Sequence, residues 1–410
     1  MKSDLDQIMN TRHLDGIVIF GDGRNNPAMI YMTGGGHFSN AMCVKPLNRP
    51  AVLVHESMER EEAEQTGLQT LNLVNYPLGE FIKSVPGNDP FLAVAKRRVK
   101  ILEDIGLGSG NIAVYGQVDL ENHYHLLKQM VEYLPTINII RPGNEDALTS
   151  AMVTKDDVEI ERIRKMGQIT IEVVGLVQDF LSTRMVRNDL LMRDNDAPLT
   201  VGHVKRLINL WLAERGAENP HGTIFAPGKD AGIPHSSGRE TDIIRTGTPI
   251  VFDFYPCESG GGYHYDFTRT WCLGYAPDPV HKEYDDVRGA YDKVIHAISP
   301  HHAFSEYQRM TCEIFSNMGH ATIDVNPQTE SGYVHSLGHG VGLRIHERPF
   351  SSTVVDMGDK LVPGNVITVE PGLYYPEMGI GVRIEDTYHI DQDGQLQLMA
   401  EYPYDLILPI

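Results

Sequence analysis

The segment Thr248–Trp271, TPIVFDFYPCESGGGYHYDFTRTW, decides how this chain folds. It reads as two strands, an alternating run Pro249–Tyr255 and a second Tyr263–Trp271, joined by the turn-rich stretch Pro256–Gly262. A hairpin centred on Ser259 and Gly260 sets Asp253 opposite Asp266. Facing residues on neighbouring strands have Cβ atoms roughly 4.5–5.5 Å apart, and like charges placed there repel. Two carboxylates facing each other in an apolar strand context call for positive charge between them, and a metal ion supplies it.

The same count works again downstream. Val366–Glu370 is an apolar strand ending in an acid, and Gly381–Thr387 (GVRIEDT) carries another. The midpoint of Glu370 and Glu385 falls between Glu377 and Met378, inside the turn-forming PGLYYPEMG, so this pair also meets across a hairpin. Side chains alternate along a strand, so Glu385 shares a face with Arg383 and Thr387 while Asp386 points away. Asp266 likewise shares a face with Thr268 and not with Arg269. Glu385 is therefore the ligand candidate over Asp386. Arg383 becomes a substrate clamp or charge balancer, and Thr268 a supporting hydrogen-bond partner.

His339 sits between Gly338 and Gly340, where small neighbours let the backbone approach closely or take positive φ. With Asp253, Asp266, Glu370 and Glu385 it forms an oxygen-rich donor set with one nitrogen. Charge balance in a partly buried site favours two divalent ions about 3.5–4 Å apart, of the Mn, Co, Fe or Zn kind. His235, His335 and His346 lie near these acids in sequence. The run His346-Glu347-Arg348-Pro349-Phe350 begins like H-E-x-x-H but ends in Phe350, which excludes the single-zinc helix. No G-x-S-x-G elbow is present. A metal-bound hydroxide is the expected nucleophile, with the histidines steadying charge that develops on substrate. Any one of these residues alone would read as a structural hydrogen bond or ion pair. It is the joint pattern that argues for function.

Composition bounds the rest. A chain of 410 residues, 41% hydrophobic, has material for more than one core. A net charge of −20 argues against nucleic acid or anionic membrane as principal partner. Cys43, Cys257, Cys272 and Cys312 form no C-x-x-C pair and read as isolated, reduced thiols. The start, MKSDLDQIMNTRHLDG, has no apolar h-region, and no window approaches the ~18 apolar residues of a membrane span. A soluble, cytoplasmic protein is expected.

Residues 1–153 read as an α/β domain. Strand-like runs Gly16–Phe20, Ala41–Val44, Ala51–Val54, Ile112–Tyr115 and Ile137–Ile140 alternate with helical patterns Pro90–Ile105 and Asn122–Tyr133. GLGSGN (106–111) precedes a strand and lacks dinucleotide-loop spacing, so it reads as a structural turn. From Thr154, where Thr154–Asp157 resembles a capping box, the order helix, helix, His-bearing segment, acidic hairpin occurs twice. Residues 154–410 are therefore expected as one α+β domain of two pseudo-symmetric helix-helix-hairpin halves that bring the hairpins together.

The motifs VFDFY…YDFTRTW, HSLGHGVGLRIHE, ITVEPGLYYP and GVRIEDT resemble those of the pita-bread metallopeptidases: Xaa-Pro dipeptidase (prolidase), Xaa-Pro aminopeptidase and methionyl aminopeptidase. MIYMTGG (29–35) and the first half resemble the smaller domain of prolidases and creatinases. The resemblance implies that Asp253, Asp266, His339, Glu370 and Glu385 bind two divalent ions, and that Glu370 also shuttles the proton of the bridging water. It implies that His346 stabilises the tetrahedral intermediate, that His235 sits by the scissile amide, and that His335 and Arg383 lie near substrate. It further implies a homodimer. Creatinase shares the fold without the metal ligands, whereas all five are present here. The chain departs from the family in a longer Asp253–Asp266 loop. It also lacks a clear match, within 348–358, to the arginine that grips a dipeptide's carboxylate, Arg348 being near but offset. The expected function is hydrolysis of an N-terminal peptide bond, Xaa-Pro in a dipeptide or short peptide. The alternatives are the same centre acting on a non-peptide amide or β-substituted acid, and a non-catalytic binding module.

Overall fold

The computed structural model describes residues 4–141, 146–194, 196–355 and 357–410. The chain forms two compact units, Met1–Met152 with Gly260–Gly262, and Val153–Ser259 with Tyr263–Ile410.

The first unit is built on a six-stranded mixed sheet, in the order Gln69–Asn72, Val52–His55, Ala41–Pro46, Gly16–Gly21, Gly110–Gln117, Ile137–Ile139. The helix Pro90–Ile105 starts behind Asp89, whose carboxylate accepts from the amides of Phe91 and Leu92, and stops at Gly106 with φ 85°. Its Val99, Leu102 and Ile105 pack with Leu126 and Met130 of the helix Leu120–Tyr133 and with Val18 and Val44 of the sheet. GLGSGN is thus a helix stop followed by a strand start.

Among the described residues of the second unit, two pairs of α-helices alternate with sheets: Asp157–Ser182 and Val201–Glu214, then Asp278–Ala297 and Phe304–Asn317. The first opens with a capping box between Asp156 and Glu159, two residues later than Thr154–Asp157 suggests. Asp156–Glu159 is the fuller match to the motif, with Glu at N3, and the Lys155 amide, just outside the helix, donates to the carbonyl of Gly364 at 2.7 Å.

A four-stranded sheet holds Ile224–Pro227, Ile250–Phe254, Phe267–Leu273 and Ile407–Leu408 in that order. A five-stranded sheet holds Glu347–Phe350, His339–Gly340, Val366–Val369, Asp386–Ile390 and Leu396–Leu398. They meet where Thr268 and Glu385 exchange backbone hydrogen bonds of 3.3 and 3.0 Å.

The two hairpins differ in how their register compares with the count. In the second, Gly372 faces Arg383 in one ladder and Val369 faces Asp386 in the next, a single register that puts Glu370 opposite Glu385 in the gap between ladders. In the first, Asp253 faces Thr268, and Asp266 is its diagonal neighbour, not its direct partner. The turn is centred on Gly260 and Gly261, whose φ values of 91° and 79° are the left-handed pair a two-residue hairpin turn requires. Glycines occupy those positions freely and Ser259 would not. Moving the centre by one residue moves partners by two, so both acids stay on the same face.

Candidate metal centre

Three donors, from Asp266, His339 and Glu385, lie within 4.8 Å of one another. His339 Nε2 is 3.6 Å from Asp266 Oδ2 and 3.3 Å from Glu370 Oε1. The other ring nitrogen, Nδ1, lies 3.1 Å from the Gly340 carbonyl and donates to it, which turns the Nε2 lone pair toward the acids. The glycines beside His339 are there for close approach. A Cβ at Gly338 would come 2.1 Å from the Thr368 carbonyl oxygen, and one at Gly340 would come 2.2 Å from that of Arg348.

Thr268 donates its hydroxyl to Glu385 Oε2 at 2.6 Å. Arg383, 2% exposed, donates to Asp253 Oδ2, to the Tyr374 hydroxyl at 2.7 Å and to the Pro234 carbonyl at 3.2 Å. It therefore balances Asp253. Asp253 Oδ1 and Glu385 Oε1 remain buried without a hydrogen bond. Burial, then the neighbouring Glu385, pushes the Asp266 and Glu370 carboxyls well above the usual carboxylate range. Burial, then Asp253, pushes Glu385 up as well. Bare carboxylate oxygens, mutual repulsion and one oriented imidazole nitrogen fit divalent cations.

His235, His335, His346 and Arg383 line one cavity of about 610 Å³ together with the five proposed ligands. His335 lies with Nδ1 2.7 Å from the Ser336 carbonyl and Nε2 2.9 Å from the Tyr374 hydroxyl. Burial, then Arg383, keeps that ring neutral, its pKa down to about 3. His346 packs edge-on against His339, ring centroids 4.4 Å apart. Arg348, offset in the sequence, is held by Asp359, its Nε 2.7 Å from Oδ1.

Sequence reasoning missed Tyr374, which joins Arg383 to His335. The register held the signal: Gly372 faces Arg383, and a Cβ on Gly372 would come 2.6 Å from the Tyr374 hydroxyl, so the ring occupies the space glycine leaves. A second group, Glu283, Asp286 and His320, also has converging donors. There His320 bonds Tyr375 at 2.6 Å and Asp286 at 3.0 Å, and Lys282 pairs with Asp286 at 2.9 Å. That cluster ties the helix Asp278–Ala297, through His320, to the strand Gly372–Tyr375.

Acids gathered at the seam of two sheets, with oxygens left bare beside a fixed imidazole, define a divalent-metal protein. Residues 161–392 match the model of metallopeptidase family M24, and the chain belongs to that family. It is similar to an Xaa-Pro dipeptidase of Pyrococcus furiosus, 30% identical over 260 residues that cover 62% of this chain and 65% of that protein. It is also similar to the probable dipeptidase PepE of Mycobacterium bovis, 28% identical over 264 residues, 64% of this chain. The matched part spans 62% of that relative's length. The fold is shared with the solved X-Pro aminopeptidase of Thermotoga maritima MSB8, at a TM-score of 0.74 and 22% identity over 97% of both chains. This is the pita-bread architecture with an α/β N-terminal part.

Proposed function

We propose that the protein hydrolyses the peptide bond between an N-terminal residue and a following proline, in dipeptides or short peptides, with two divalent ions. The observation that carries this reading is the convergence of Asp253, Asp266, His339, Glu370 and Glu385 on one cavity that His235, His335, His346 and Arg383 also line. The names of the relatives, an Xaa-Pro dipeptidase and an X-Pro aminopeptidase, support it.

In this reading the five residues hold the ions, an oxygen-rich set with one nitrogen suited to Mn, Co, Fe or Zn. When bound, the ions supply water activation and polarisation of the scissile carbonyl. Glu370, acting as its carboxylate, takes a proton from the attacking water and passes it to the leaving nitrogen; burial and the neighbouring Glu385 raise its proton affinity, which suits it to hold that proton between the two steps. His346 donates to the oxygen that gains charge as the carbonyl is attacked, and His235 stands beside the amide. His335 and Arg383, joined through Tyr374, orient the substrate. Residues 154–410 carry the catalysis and 1–153 form the smaller domain, in a cytoplasmic homodimer.

The test is a panel of Xaa-Pro dipeptides and longer Xaa-Pro peptides, assayed with added Mn²⁺ or Co²⁺ and again after chelation. Turnover that requires the metal is expected. A metal-loaded protein inert toward the whole panel would overturn the reading.

A further inference from the structure

We infer that Lys155 is a positioning residue which, through Glu347, fixes the loop that sets His346 against the metal centre; the inference rests on the peptidase reading above. Lys155 and Glu347 have side chains only 1% and 5% exposed, and the ammonium donates to Glu347 Oε1 at 2.5 Å. A buried pair of this kind is weak evidence for stability, since well-packed apolar residues often do as well. Its value lies in what it holds.

Gly340 pairs with Glu347 across the antiparallel bridge, which leaves Val341–His346 as a closed loop. Glu347 Oε2 accepts from the Arg344 amide at 3.3 Å, so one carboxylate is tied to the loop and to Lys155 together. Inside the loop the Gly342 amide donates to the Arg344 carbonyl at 3.1 Å, and the Gly342 carbonyl accepts from the His264 amide at 2.8 Å. A Cβ on Gly342 would come 2.3 Å from Glu347 Oε1, so only glycine lets the carboxylate lie there. His346 immediately precedes Glu347 in the chain and packs edge-on against His339.

The lysine's main chain works in the same direction. Its amide donates to Gly364 at 2.7 Å, and Asn365 Nδ2 donates to the Val153 carbonyl at 3.0 Å. Those contacts pin the segment that enters Val366–Val369, the strand leading to Glu370. Lys155 therefore couples the two stretches that deliver His346 and Glu370. Neither Lys155 nor Glu347 is among the described residues that line the cavity, so the pair acts through its neighbours.

A double-mutant cycle tests this, with metal content, kcat and KM on an Xaa-Pro peptide as readouts. Lys155→Met is expected to lower kcat about tenfold or more, with KM within about threefold and metal content unchanged, because a misplaced catalytic group costs rate before it costs binding. In a His346→Ala background the same change should lower kcat by no more than about twofold. If Lys155→Met alone fails to fold, Lys155→Met with Glu347→Gln, which leaves no buried charge unpaired, is measured in both backgrounds. Equal fold-losses with and without His346, or wild-type kcat in the variant, would overturn the inference alone. A wild-type protein inert toward every Xaa-Pro peptide would overturn the peptidase reading and this inference with it.

Discussion

Glu385 and Asp386 are chain neighbours, 2% and 0% exposed, and their surroundings could hardly differ more. Asp386 pairs with Arg269 at 2.9 Å and accepts from the hydroxyls of Tyr291 and Tyr404 at 2.5 and 2.9 Å. Arg269 in turn donates to the carbonyls of Thr268, Glu385, Tyr402 and Pro403 and lies 4.3 and 4.2 Å from the rings of Phe267 and Tyr404. Every charge on that face is answered. Glu385 receives one hydroxyl, keeps one oxygen bare and is surrounded by other acids. Burial alone does not distinguish structure from function; completeness of partners does.

The contrast can be broken from either side. The largest expected effect is on rate: Glu370→Gln, which keeps the shape but removes both the proposed proton carrier and a proposed ligand charge, should lower kcat by about 10³-fold even when assayed at metal concentrations that restore full occupancy. Steady-state assays and elemental analysis together check it. Next comes stability. Asp386→Asn leaves Arg269 buried without its counter-charge and should cost about 3–5 kcal/mol in denaturant melts. Asp266→Asn, on the other face, removes a repelled acid and should not lower the melting temperature of chelated protein. Equal losses from the two asparagines would erase the distinction. The smallest effect probes the hydroxyl both faces flank. Thr268→Val removes the donor to Glu385 and should weaken metal affinity by about 10–100-fold, read by competition titration, with the fold intact.

Much of this was legible because strands count in twos. Alternation separated Glu385 from Asp386 and Thr268 from Arg269, and the midpoint rule placed Glu370 opposite Glu385. The same rule misjudged the first hairpin because three successive glycines, 260–262, accept several turn centres, and only backbone φ chooses among them. Pro90–Ile105 was readable end to end, since Asp89 and Gly106 punctuate it. Gln69–Asn72 was not, because this edge strand buries none of its residues fully and shows no alternation. The capping box slipped by two because Thr154–Asp157 and Asp156–Glu159 overlap and both resemble the pattern, and the second, with Glu at N3, is the one that forms. Tyr374 escaped notice because its role depends on what Gly372 omits.

The bridge between Thr268 and Glu385 marks a seam at which each half of the unit contributes part of the proposed ligand set, Asp253 and Asp266 on one side, His339, Glu370 and Glu385 on the other. An ion seated there is a rivet as much as a reagent. A chain nicked in the connection Gly274–Pro277 would still have its pieces held by the Arg269–Asp386 pair and the Thr268–Glu385 bridge, and a cation would tighten that grip further.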